Sequence, residues 1–440
     1  MITDRFKRLL QGKLFSSSLW VVGGTSAIQA LRLVSTIVLS RILAPETFGV
    51  MALVTTVTGM LQLLSDVGLQ GSVNHDPRGD DPTFLNVAWT LQVIRGIGLT
   101  LLIFVLAWPL AEFYSEPMLV YYFPVVGTTA FLAGITSSSY MSLTRHLKPQ
   151  AVVVWQVVAK FISLIAMLGL AWYWQSAWVL VIGAVVEQVV RTAGSFRIMP
   201  ERKHQFVVDK EIAQSLMRFG RWVWVSTIAT WLLGQGDKLI FGRFMTAADL
   251  GVYTMATNLT IASTTAIEGL ANRVLMPYYA GLIRSDPNAL KAKMLKVRGT
   301  LVVSVVPVLW MLMLFGQPIV DILYDDRYRE AGWMLKVVSA GAVATNVMRS
   351  AEQVFLADGD SYRYMLIKVA GGVLFFVGII GGGALDGTRG MLLGTVAARF
   401  AVYVPLAIAL RKRGLWLPKL DLFTFGATAA VGWIGYSYLP

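Results

Sequence analysis

Near the start of the chain, Thr25, Gln29, Arg32 and Thr36 stand at i, i+4, i+7 and i+11 inside an otherwise apolar run. That spacing puts all four on one face of a helix. The pattern recurs. Thr55, Thr58 and Gln62 lead to Asp66, Gln92 precedes Arg95, and Gln156 precedes Lys160 and Ser163. Glu187 stands four residues before Arg191, Thr227 and Thr230 lead to Asp237 and Lys238, and Asn258 and Thr265 lead to Glu268 and Asn272. Thr345, Arg349 and Glu352 share a further run, and Arg399 stands alone in another. A charge near the centre of a bilayer is costly unless paired or hydrated, so such stripes must turn away from lipid. Cations outnumber carboxylates in them, which suits a polar, anionic cargo. Arg can fork onto a diphosphate, and Lys supplies a point charge.

The candidate cavity residues are therefore Arg32, Arg95, Lys160, Arg191, Lys238, Arg349 and Arg399. The carboxylates Asp66, Asp237 and Glu268 are candidates for uptake of H+ or Na+ as a coupling step. For Glu187 with Arg191, and for Arg349 with Glu352, a local ion pair at i,i+4 or i,i+3 spacing is an equally good account. Arg32, Arg95, Lys160 and Arg399 have no partner at those spacings.

The elements that must position these residues are membrane spans. Of 440 residues, 56% are hydrophobic and 14% charged, whereas soluble domains carry about a quarter charged residues. Apolar runs long enough to cross a bilayer place spans near residues 15–41, 47–70, 84–108, 118–143, 151–174 and 177–196. A second set falls near 221–243, 250–275, 300–323, 331–356, 364–383 and 390–410. The fold class expected is an all-α polytopic membrane protein of about twelve spans in two six-helix bundles, 15–198 and 219–413. A basic amphipathic lead-in, 1–14, and an amphipathic linker, 199–218, flank the first bundle; the apolar segment 414–440 contains a possible thirteenth span. Arg145, Lys148, Arg197, Arg202, Lys203, Lys291, Lys293, Lys296 and the run Arg411, Lys412, Arg413 fall on one set of alternating connections. By the positive-inside rule that set, and the N-terminus, are cytoplasmic.

Several function classes drop out. There is no cysteine, so thiolate catalysis and Cys-ligated metals are excluded. His75, His146 and His204 show no metal-ligand spacing and read as solvated loop or helix-end histidines. No nucleotide-binding loop is present, the connections are too short for an external catalytic domain, and neither an enzyme nor a cofactor is expected. The net charge of +13 lies between hydrophobic spans rather than in one patch, which argues against nucleic acid.

One junction is written twice. "RILAPETFGV" at 41–50 and "RFMTAADLGV" at 243–252 align when Gly49 is set on Gly251. The same shift sets Trp20 on Trp222, Thr25 on Thr227 and Asp66 on Glu268. With an even number of spans per half, this predicts parallel repeats about an axis along the membrane normal.

"LSRILAPETFGVMAL" followed by "LLSDVGLQGSV", "SLTRHLKP" at 142–149, and above all "GDKLIFGRFMTAADLGVYTMATNL" at 236–259 resemble bacterial Wzx-like polysaccharide flippases. These form a branch of the multidrug/oligosaccharidyl-lipid/polysaccharide exporter superfamily. The resemblance implies a transporter of twelve to fourteen spans in the bacterial inner membrane. By alternating access it would move an undecaprenyl-diphosphate-linked oligosaccharide to the outer leaflet, for O-antigen, lipopolysaccharide or exopolysaccharide synthesis. Its partners would be that lipid-linked saccharide, membrane lipids, a polysaccharide polymerase and glycosyltransferases. The tail after the twelfth span is shorter than in fourteen-span members and is assigned no lipid-tail groove. Alternatives are a flippase for a peptidoglycan-precursor lipid or a small-molecule exporter of the same superfamily, with a membrane-embedded polymerase or ligase less favoured.

Overall fold

The computed structural model describes residues 2–65, 69–145, 150–198 and 204–437. Among them every regular element is a helix. The chain divides into two compact units, Met1–Trp231 and Leu232–Pro440. The first holds α1 (Ile2–Ser40), α2 (Pro45–Leu64), α3 (Leu69–His75), α4 (Pro82–Tyr114), α5 (Leu119–Gly134), α6 (Ser139–Arg145), α7 (Gln150–Ala171), α8 (Trp178–Ile198) and the first part of α9 (Lys210–Phe244). The second holds the rest of α9, then α10 (Ala247–Ser285), α11 (Leu290–Leu314), α12 (Gly316–Leu323), α13 (Ala331–Ala357), α14 (Ser361–Ala401), α15 (Tyr403–Lys412) and α16 (Pro418–Ser437). Seven helical stretches among the described residues are long and apolar enough to cross a membrane.

The repeated junction has the same local structure in both copies. Each ends one helix and caps the next. Ala44, before α2, has φ −75° and ψ 155°; Thr246, before α10, has φ −67° and ψ 158°. Both are extended N-cap residues, placed at the positions the sequence shift sets in register. The caps differ in chemistry. Pro45 opens α2 with a preset φ, and Thr246 instead accepts a hydrogen bond from the Asp249 N–H at 3.1 Å.

Two expected spans are broken. Residues 118–143 form α5 and α6 with a non-helical step at 135–138. Such a break frees carbonyls that need donors inside a membrane protein. The Gln92 side chain donates to the carbonyls of Ala133 and Gly134, both at 2.9 Å, and Thr136 at 3.1 Å, while the Trp89 indole donates to Ile135 at 3.3 Å. His204 caps the same step. Its Nε2 accepts the Ser138 N–H at 3.1 Å and lies 3.0 Å from the Ser137 hydroxyl, with the ring against Trp89 and Phe196. The expectation of a solvated loop histidine is thus corrected: His204 is half-buried and pins the segment before α9 to the first unit. The second broken span, 300–323, divides at Phe315 into α11 and α12.

In α14 the helix reverses at Asp386 and Gly387, where Gly387 takes φ +51°, a conformation glycine adopts without a Cβ penalty. The two arms then touch through Gly378, Gly382, Gly390 and Gly394. A Cβ on Gly382 would overlap the Gly390 carbonyl, and one on Gly378 the Gly394 carbonyl. The GxxxG spacing of Gly378 and Gly382 therefore serves close helix packing.

The C-terminal segment is a helix. At 20 residues, α16 is about 30 Å long, near the thickness of a bilayer's hydrocarbon core. It runs along α11. Asp421 meets Arg298 near its start, Thr428 accepts from the Trp310 indole at 3.0 Å, and the Gly435 carbonyl accepts from Lys336 of α13 at 3.1 Å.

Candidate substrate cavity and buried charge clusters

In the first unit, α2, α3, α4, α5, α6 and α8 line a cavity of about 450 Å³. Its polar lining includes Gln62, Gln92, Arg95, Tyr140, Gln188 and Arg191. The cavity owes part of its wall to glycine, since α4 and α5 meet at Gly96 and Gly134. A Cβ on Gly96 would stand 2.8 Å from the Ala130 carbonyl and 2.9 Å from Gly134 Cα.

Arg95 projects from α4 to the end of α2, where helix carbonyls lack intrahelical donors. Its Nε donates to the Ser65 hydroxyl at 2.9 Å and its Nη2 to the Gln62 carbonyl at 2.7 Å. These contacts fix the guanidinium at the cavity wall. Arg191 enters the same cavity from α8. Among the described residues it has no hydrogen bond or ion pair, although a local pair with Glu187 was an equal expectation. Glu187 instead reaches across to α7, where Lys160 Nζ stands 3.1 Å from its Oε2. Cross-helix geometry removes the local competitor and leaves Arg191 facing open space. Glu187 also lies within electrostatic reach of the exposed Arg32 on α1. The structure thus brings Arg95 and Arg191 together, with the Lys160–Glu187 pair one turn from Arg191 along α8.

The second unit treats its charges differently. Asp237 and Lys238 on α9 are both buried. The Tyr253 hydroxyl donates to the Asp237 carboxylate, and Lys238 Nζ donates to Gln235 Oε1 at 3.0 Å. Arg399 of α14 packs beside Gly341 and acts electrostatically on Tyr253, so Asp237, Lys238 and Arg399 belong to one cluster. Glu352 does not depend on Arg349 for a partner. Lys368 of α14 binds both its carboxylate oxygens, at 2.7 and 2.8 Å. Arg349 remains nearby, within electrostatic reach of Tyr364. Asp66 lies outside the described residues, as does the side chain of Glu268.

Sequence reasoning missed the most buried pair. Arg298 and Asp421, each 0% exposed, meet at 2.6 Å. Arg298 also donates to the Ser350 hydroxyl and the Val347 carbonyl, and Asp421 accepts from the Tyr403 hydroxyl at 2.8 Å. Asp421 is the sole carboxylate in residues 414–440. A lone carboxylate in so apolar a segment calls for a buried cation, and that was the available signal.

A helical protein with apolar spans and inward-turned cations is an all-α polytopic membrane protein, and comparison with known proteins makes the family definite. The chain belongs to the polysaccharide biosynthesis protein family, whose model matches residues 38–332. It is 23% identical over 443 residues to the lipopolysaccharide biosynthesis protein WzxC of Escherichia coli (strain K12), covering 96% of this chain and 88% of that protein. It is likewise 23% identical over 312 residues to the succinoglycan biosynthesis transport protein ExoT of Rhizobium meliloti (strain 1021), covering 71% of this chain. The match spans 63% of ExoT's own length. Among solved structures, the fold is similar to the lipid II flippase MurJ in an inward closed conformation, with TM-score 0.74 at 10% identity over 96% of this chain and 93% of that one. An inward-facing multidrug resistance MATE transporter gives TM-score 0.70 at 15% identity over 92% and 95%. At these identities the likeness is one of fold.

Proposed function

We propose that the chain is a flippase that carries an undecaprenyl-diphosphate-linked oligosaccharide from the inner to the outer leaflet of the bacterial cytoplasmic membrane, for cell-surface polysaccharide synthesis. The observation that carries this reading is the cavity shared by Arg95 and Arg191, two cations among glutamines in a unit built mainly of apolar helices. Arg95 is already engaged with α2 and keeps a fixed positive charge at the wall. Arg191 is available to fork onto a diphosphate oxygen pair. Gln62, Gln188 and Tyr140 offer amide and hydroxyl groups suited to sugar hydroxyls, and Gln92, whose amide nitrogen is committed to the 133–136 carbonyls, offers its side-chain oxygen. Small organic cations, by contrast, would meet like charge.

Charge placement supports the direction. If the basic connections are cytoplasmic, α2 ends, α4 begins and α5 ends on that side. The arginine cavity then lies toward the leaflet in which the cargo is loaded. Release on the other side requires weaker binding in the outward state. A coupling step would fall to a carboxylate such as Asp237, Asp66 or Glu268, through uptake of H+ or Na+. The names of the relatives, a succinoglycan biosynthesis transport protein and a lipopolysaccharide biosynthesis protein, support a saccharide as the cargo class to test.

The test is reconstitution. Purified protein in proteoliposomes should move a fluorescent undecaprenyl-diphosphate oligosaccharide between leaflets, faster than a peptidoglycan-precursor lipid, and should not move small organic cations. Equal movement of the precursor lipid, or cation transport in its place, would contradict the assignment.

A further inference from the structure

A second concavity in the first unit is entirely unlike the arginine cavity. It measures about 430 Å³ and lies between α1 and α7. Trp20, Gly23, Gly24 and Ala27 form one wall, and four valines at 153–158 form the other. At Gly24 the helices touch, since Val153 occupies the place a Cβ would take, and this contact is the floor. Gly23 has nothing within 4 Å of its missing Cβ, so that flank is open. Trp20 and Val154 remain 46% and 45% exposed at the rims.

The groove leads toward charge. Beyond the Gly24–Val153 contact, Arg32 lies eight residues on along α1 and Lys160 seven residues on along α7, about 12 Å and about 10.5 Å by helical rise. The two cations therefore stand at one level, and Glu187 bears on both. Two cations against one carboxylate leave an excess positive charge at the groove's end. From Glu187, α8 continues to Gln188 and Arg191 in the arginine cavity. On α7, Gln156 donates its amide to Tyr140, which lines that cavity too. An apolar seat, a cationic end and a polar chamber thus follow one another within one unit.

We infer that this groove seats the polyprenyl chain of the cargo lipid while its diphosphate passes Lys160 into the Arg95–Arg191 cavity. The inference rests on the flippase reading and adds to it the place of the chain. Burial of successive methylenes against valine and glycine supplies affinity that does not depend on which sugars follow. The cationic end selects an anionic head over a zwitterionic one. Gly23 is the residue to change, because it lines the groove and a Cβ there meets nothing within 4 Å, and leucine is a better helix former than glycine.

The experiment measures binding of undecaprenyl diphosphate, and of a soluble uridine-diphosphate sugar as a head-only probe, to full-length protein in nanodiscs of phosphatidylethanolamine and phosphatidylglycerol. Gly23→Leu, and independently Val154→Phe on the facing wall, should weaken the long-chain ligand about tenfold, as expected when two methylenes lose their seat. The head-only probe should bind both variants as it binds the wild type. In the wild type itself, an undecaprenyl diphosphate bearing a photoreactive chain should label residues 20–27 and 153–158. Unchanged long-chain binding in both variants, labelling elsewhere, or a groove that retains phosphatidylglycerol against excess undecaprenyl diphosphate would overturn the inference and leave the flippase reading standing. A wild type that binds no undecaprenyl diphosphate would overturn the flippase reading as well.

Discussion

The two units carry intramembrane charge in opposite ways. In the first, Arg95 and Arg191 line open space, and the Lys160–Glu187 pair keeps side-chain exposures of 17% and 26%. In the second, Arg298 and Asp421 are sealed at 0% each, and Lys368 closes on a Glu352 that is 7% exposed. A charge that is sealed with its partner holds helices in place; one that borders a cavity remains available to a cargo. Residue type alone does not distinguish the two. What decides is whether a neighbouring helix brings a counter-charge into reach.

Breaking that contrast should have its largest effect at the sealed pair. Asp421→Asn leaves the Arg298 guanidinium buried without its counter-ion, and loss of one partner of a buried pair costs about 3–5 kcal/mol. Thermal unfolding of the detergent-solubilised protein should show a large fall in midpoint. The double change Arg298→Met with Asp421→Leu should recover most of it, because an apolar pair of similar size needs no compensation. A midpoint unmoved by Asp421→Asn would mean that α16 is not held by this pair.

A smaller effect is expected at the α14 hairpin. Gly382→Leu forces a side chain into the Gly390 carbonyl, and overpacking of this kind costs about 1–3 kcal/mol. Comparing it with Gly381→Leu, where nothing lies within 4 Å, isolates the contact from general effects of adding bulk. Similar destabilisation by both would remove the packing explanation.

Smaller still is the partly exposed Lys160–Glu187 pair. Glu187→Gln should cost no more than about 1 kcal/mol, since solvent screens what the pair contributes. Its value is as a sharpening test. If Glu187 holds Lys160 and biases Arg32, the variant should bind a diphosphate probe more tightly by virtue of the carboxylate's removal. Weaker binding would place Glu187 among the groups that orient the cargo.

Much of this was legible in the chain. Apolar runs located nearly every long helix, because a bilayer demands about 20 such residues wherever a helix crosses. The shift that sets Gly49 on Gly251 also found two N-caps of matching backbone, at Ala44 and Thr246. Arg95 and Arg191 were marked by charge within apolar runs, and they share a cavity. What escaped was partnership. Glu187 and Glu352 each had a cation at helical spacing, yet each binds a lysine on another helix, and nothing local in sequence encodes which helices touch. The break at 135–138 escaped because its hydrogen-bond partners, Gln92, Trp89 and His204, lie more than 40 residues away along the chain. Arg298 escaped because it follows Lys291, Lys293 and Lys296 and so reads as one more basic residue of a solvated connection.

The central claim is that Arg191 serves the cargo and not the fold. The direct measurement is leaflet-to-leaflet movement of an undecaprenyl-diphosphate oligosaccharide by Arg191→Ala in proteoliposomes, paired with its thermal midpoint. A side chain with no described partner should leave stability within about 0.5 kcal/mol of wild type, while movement falls at least tenfold, the effect of losing one charge-assisted contact to the diphosphate. Movement at the wild-type rate, or a loss that merely follows unfolding of the variant, would contradict the claim.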